Sequence, residues 1–118
     1  MRFEILANGS LVGHSMLEHG DPPMGVAHGV MVATSAYGEI KASVVAANGG
    51  PVTGIVLSVR LAGADSAIPC VGVGILDASR EISEPPYVEV LGISHPIYGE
   101  LFPQHLVAYE ALFPAGVA

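Results

Sequence analysis

A chain of 118 residues and 12.1 kDa, 51% hydrophobic and only 13% charged, suits a single domain with one core and excludes a disordered tail, a coiled coil or a polyelectrolyte. Four basic residues, Arg2, Lys41, Arg60 and Arg80, face eleven acidic ones for a net charge of -7, which argues against nucleic acid and anionic lipid as partners because both are bound through Lys and Arg. The uncharged stretch from Ala42 to Val59 is broken at Asn48, Gly49, Gly50 and Pro51, so no spanning helix is expected, and Glu4 with the turn at Asn8 and Gly9 interrupts any signal-like apolar run, pointing to a cytosolic protein.

Arg2 to Ala7 and Ser10 to Ser15 read as short strands joined at Asn8-Gly9, a pair that tolerates the positive φ angles of a two-residue hairpin. With a two-residue turn Phe3, Ile5 and Ala7 share a face with Ser10, Val12 and His14, which sets the histidine beside an aromatic ring. Met16 to Pro23 read as loop. Gly25 to Val32 resume an extended pattern in which Val26, His28, Val30 and Val32 point one way, towards the expected core. From Thr34 the period becomes helical through Tyr37, Ile40, Val44 and Ala47, and Asn48-Gly49-Gly50 supplies a left-handed stop.

Thr53 to Ala62 alternates as a half-buried strand should, with Ile55, Leu57, Val59 and Leu61 inward and Ser58 and Arg60 outward. Ile68 to Asp77 is a further strand whose Gly72 and Gly74 permit close approach of another backbone or a helix. Tyr87 to Ile93 is the last strand. Apolar positions from Ile97 to Leu112 keep helical phase across Pro103, which predicts two short helices or one bent one.

The order is three strands and a helix, then three strands and a helix. Asp21-Pro22-Pro23 and Glu84-Pro85-Pro86 introduce equivalent strands, and Tyr37-Gly38-Glu39-Ile40 and Tyr98-Gly99-Glu100-Leu101 open equivalent helices. Local needs explain the prolines and the acids, but not a glycine inside a helix in both copies, unless a second backbone packs against Gly38 and Gly99. The expectation is an α+β fold: a mostly antiparallel, six-stranded curved sheet or half-barrel with two helices. Residues 1–118 form a single domain in this reading, with tandem βββα repeats over residues 1–50 and 51–118.

Chemistry is sparse. His14, His19 and His28 with Glu18 and Asp21 offer ligand types for a divalent ion, but without an i, i+4 pair or short paired motif, so no metal and no cofactor are expected. Gly13-His14-Ser15-Met16-Leu17 has leucine where a nucleophile elbow needs its last glycine, and it sits on a hairpin strand rather than between strand and helix. Gly72 and Gly74 lack the third glycine, the following helix and the basic residue of a nucleotide-binding turn. Cys70, the only cysteine, reads as a buried and inert thiol.

Two functional readings follow. The leading one is a binding or assembly module acting as a homo-oligomer, first of all a homodimer, because fifteen charged residues (four basic plus eleven acidic) are few for the surface of such a domain. Its contacts are expected at Leu17 to Met24 and Leu112 to Ala118. A protein partner or a small-molecule ligand is compatible with this reading, and a small acidic antitoxin or immunity protein fits the size and charge, though no specific residue points to it. The alternative is a small enzyme with its site between the halves, in which His14 or His28 acts as base, oriented by Glu18 or Asp21. Tyr37, Glu39, Tyr98 and Glu100 are candidate binding residues in that cleft: the two acids could pair near a pseudo-dyad, and each tyrosine either lines the cleft or closes a core.

Overall fold

The computed structural model describes residues 1–79 and 81–112, so Arg80 and the segment 113–118 lie outside the description below. Seven strands form one curled, entirely antiparallel half-barrel sheet: β1 (Phe3–Ala7), β2 (Ser10–Ser15), β3 (His19–Asp21), β4 (Val26–Ala33), β5 (Leu57–Leu61), β6 (Gly72–Leu76) and β7 (Tyr87–Leu91). Three helices complete the α+β fold: α1 (Lys41–Ala47), α2 (His95–Leu101) and α3 (Pro103–Leu112). The strand order is β5-β1-β2-β4-β7-β6, and β3 also pairs with β4. The two ends of the sheet draw together where Ile68 N–H, ahead of β6, donates to Val59 O of β5 at 2.8 Å.

The first hairpin forms as its turn residues require, with Asn8 at φ 48° and Gly9 at φ 84°. Its register then breaks: Leu6 lies opposite Leu11 but Ile5 lies opposite Gly13, leaving Val12 as the extra residue of a β-bulge. One added residue moves everything beyond it to the other face. His14 therefore stands opposite Glu4 on the outside of the sheet, and Ser15 takes the place beside Phe3.

A second face is also reversed. On β4 the buried residues are Ala27, Gly29 and Met31, whereas His28 is half-buried and Val30 and Val32 are exposed. The sequence pattern assigns the bulkier set to the core, but at Gly29 the space a Cβ would need is taken by the Glu18 carboxylate. The interior of the curl is filled by Phe3, Ile5, Met31, Val59, Ile75, Val88 and Val90, closed by Tyr37, Val44, Tyr98 and Phe102. Phe102 stacks on Phe3 with ring centroids 5.2 Å apart, which joins the end of α2 to β1.

Several elements are shorter or more numerous than the sequence predicts. β3 emerges inside the expected loop. The helical run after Thr34 splits into a 3₁₀ turn, Ser35–Glu39, and then α1, which Asn48 ends at φ 49°. The last helix divides at Phe102-Pro103 into α2 and α3, as the proline dictates.

The close packing expected at Gly38 and Gly99 is absent: a Cβ on Gly38 would meet nothing within 4 Å, and one on Gly99 only Leu106 Cδ1 at 3.5 Å. Tyr37-Gly38-Glu39 lies in a 3₁₀ turn and Tyr98-Gly99-Glu100 in an α-helix, so the matching tetrapeptides adopt different local structures. Of the two glycines of β6, only Gly74 shows the expected approach, with Gly49 O 3.4 Å from where a Cβ would stand, while Gly72 has nothing within 4 Å. No helix among the described residues is long and apolar enough to cross a membrane.

Candidate functional site

The bulge and the reversed face of β4 together put the titratable side chains on the outside of the sheet. One transverse row runs Arg60, Glu4, His14 and Val32 across β5, β1, β2 and β4. Arg60 Nε donates to Glu4 Oε1 at 2.6 Å within it. A second row runs His19, His28 and Glu89 across β3, β4 and β7. Val30 and Tyr87, opposite each other on β4 and β7, lie between the two rows.

The chain corner between β2 and β3 shapes the first half of this surface. Leu17 adopts φ 43°, a left-handed conformation that costs a leucine roughly 1–2 kcal/mol. Three anchors hold it there. Its side chain is fully buried, its N–H donates to Ser15 Oγ at 3.0 Å, and its carbonyl accepts from His105 Nε2 of α3 at 2.8 Å. The turn leaves the flanking Met16 and Glu18 on the surface. Glu18 Oε2 accepts from Val30 N–H at 3.1 Å, replacing a ladder bond in the gap between β2 and β3.

These residues enclose a groove of about 320 Å³ lined by Arg2, His14, Met16, Glu18, Val30 and Val32. His14 Nδ1 is enclosed there without a hydrogen-bond partner. Ser15, the serine of the elbow-like motif, is buried with its hydroxyl holding Leu17.

On the other side of Val30, His28 Nδ1 and the Tyr87 hydroxyl are 2.6 Å apart, a contact between the first and second halves of the chain. Burial and then the negative charges of Glu18 and Glu89 push the Tyr87 phenol up from its ordinary value, so it stays protonated and shares a hydrogen bond with the imidazole. The His19 ring lies against that of His28, with centroids 5.6 Å apart. Tyr87 also closes one wall of a cavity of about 530 Å³ formed with Val30, Leu76, Ile82 and Pro85.

Of the residues singled out in the sequence, His14 and Glu18 meet in the groove, and His28 stands beyond Val30 with Glu18 near enough to influence its tyrosine partner. Asp21 lies at the far end of β3, opposite Val26, where its charge acts instead on the Tyr98 phenol. Tyr37 and Tyr98 are core residues. The Tyr37 hydroxyl donates to Asp77 Oδ2 at 2.6 Å, and the Tyr98 hydroxyl to Val26 O at 2.8 Å.

Burial pushes the Asp77 carboxyl up, but hydrogen bonds from Ser79 and Tyr37 outweigh it and hold the group below its ordinary value. Glu39 and Glu100 are exposed on their helical turns. Burial raises the Cys70 thiol, keeping it protonated. Among the described residues no three His, Cys, Asp or Glu side chains gather as a metal site would require. Sequence reasoning missed Tyr87 and Arg2. Tyr87 carries no local signal, because only the register of β4 on β7 reveals its histidine.

Comparison with models of protein families, with curated proteins and with solved structures finds no match for the chain. Functional argument therefore rests on the surfaces described above.

Proposed function

We propose that the protein is a small cytosolic binding and assembly module acting as a homodimer, joined through the outward side of α3 and the adjoining 3₁₀ turn Pro22–Met24. The observation that carries this reading is the exposure of large apolar side chains on α3 and on the turn beside it. Val107 is 67% exposed, Leu112 73% and Met24, on the turn packed beside it, 68%. Exposed apolar side chains grouped in this way mark a contact surface.

Glu110 is the only carboxylate of α3 and the helix has no Lys or Arg, so two copies meeting here need keep only one pair of like charges apart, a condition that matters for a chain of net charge -7. Of the two contact regions marked in the sequence, the one ending at Met24 adjoins α3, while the tail lies outside the described residues beyond Leu112. Light scattering and sedimentation over a range of concentrations test the proposal. The expected result is a dimer whose dissociation constant rises about tenfold or more in V107E, since one buried apolar side chain is worth about 1.5–3 kcal/mol. A monomer at every concentration overturns it.

Tandem duplication is part of the same proposal. Antiparallel pairing of β1 with β5 and of β4 with β7 is what a twofold axis relating two three-stranded units would produce, and a Pro-Pro pair precedes both β4 and β7.

A second reading, a small enzyme working between the halves, is favoured by the 2.6 Å contact of His28 with Tyr87 beside the larger cavity. In it the phenol donates to the reacting group and His28 returns the proton. NMR mapping with a library of small metabolites tests it. Binders should perturb Tyr87 and His28 and lose affinity in Y87F, and a library that moves neither residue removes this reading.

A further inference from the structure

We infer that the groove beside His14 is a binding site for a free α-amino acid with an apolar side chain. Two opposite charges line it, Arg2 and Glu18, and they do not pair with each other: the single ion pair among the described residues is Arg60 with Glu4. Glu18 is held in place by the Val30 N–H on Oε2, with Oε1 packed against Gly29, and one such bond leaves the carboxylate with further lone pairs to accept from an ammonium group. Arg2 offers a guanidinium fork to a carboxylate.

His14 adds a second polar group. Because Nδ1 has no internal partner, no hydrogen bond fixes which way round the imidazole lies, and the ring is able to turn a nitrogen towards a ligand. The rest of the wall, Met16, Val30 and Val32, is exposed and apolar, with Val32 67% accessible. A volume of about 320 Å³ lies at the lower end of small-molecule sites.

A ligand with one charge would leave either Arg2 or Glu18 desolvated without a partner, whereas a zwitterion satisfies both. Its side chain then covers the valines. This site is on the outer face of the sheet and its lining includes no residue of α3, so it is complete within one copy of the chain.

The test is titration of the full-length protein with L-leucine, followed by NMR and calorimetry, beside two probes of the same shape: isoamylamine, which lacks the carboxylate, and 4-methylpentanoate, which lacks the amine. The expected result is saturable binding of leucine with shifts at His14, Val30 and Val32, and affinity at least about tenfold weaker for either probe. R2Q and E18Q should each weaken leucine binding by about tenfold, and the glutamine at position 18 keeps a carbonyl oxygen for Val30 N–H, so the fold is preserved. Absence of shifts in the wild-type protein, equal affinity for a singly charged probe, or indifference to both substitutions overturns the assignment.

Discussion

Alanine at position 25 should destabilise the protein by about 2–5 kcal/mol, lowering the melting temperature by roughly 10 °C or more. Gly25 sits at φ 65° after the Pro22–Met24 turn, where a residue with a Cβ loses about 1–2 kcal/mol. Its N–H donates to Pro22 O at 3.0 Å and its carbonyl accepts from Ile93 N–H at 2.9 Å. A Cβ there would collide with the Ile93 carbonyl oxygen and stand 3.0 Å from the Ile93 nitrogen.

Those are backbone atoms between β7 and α2, so relief requires moving the exit of a core strand. Thermal and urea denaturation check the value. G38A is the control, because the open space around Gly38 leaves only the entropic effect on the unfolded chain, neutral to about 1 kcal/mol stabilising. Melting of G25A at the wild-type temperature would show that this junction yields freely.

Truncating Tyr98 to alanine should cost about 3–5 kcal/mol, while Y98F should cost about 1 kcal/mol. The ring is fully buried, lies 5.1 Å from Phe102 and 6.3 Å from His105 between centroids, and sits over Gly20, whose missing side chain makes room for the hydroxyl. Alkali supplies a second readout. Burial, with a smaller contribution from the Asp21 charge, pushes the phenol from 10.0 to about 12.

Since the folded value is the higher one, this stabilisation is complete below pH 10, declines as pH rises, and is gone above about 12. The displacement is worth roughly 3 kcal/mol. The urea midpoint should therefore hold steady from neutrality to about pH 10 and then fall, with the fall shallower in Y98F. A residual slope will persist there, because burial also raises Tyr37 and Tyr87. Identical alkaline profiles for Y98F and the wild type would remove Tyr98 from this account.

What the sequence displays is what short stretches of chain decide. Asn8-Gly9 specifies its hairpin, Asn48 stops α1 and Pro103 separates α2 from α3, each through the φ angle it favours or the hydrogen bond it removes. The bulge at Val12 was not legible, because neither neighbour differs from an ordinary strand residue, yet it decides that His14 faces outward beside Glu4. β3 was hidden for a different reason. His19, Gly20 and Asp21 are exposed, and the strand exists because Gly20 fits beneath Tyr98 and His105, residues far along the chain.

Bulk misled the reading of β4, where alternation gave two faces correctly and the assumption that valine outranks alanine and glycine chose the wrong one as interior. The groove is hardest of all to foresee. Arg2, His14 and Glu18 are ordinary in sequence, and only the corner at Leu17 and the shifted hairpin register assemble them.

The Leu17 carbonyl ties that corner to His105, whose ring lies flat on Phe102 at 5.1 Å in the same layer that supports α3. Met16 and Glu18 of the groove wall are immediate neighbours of Leu17, so a single hydrogen bond separates the groove from the helix proposed to meet its twin. Thermodynamic reciprocity then applies in both directions: a metabolite favouring the paired protein would tighten pairing by the same factor by which pairing tightens its own retention.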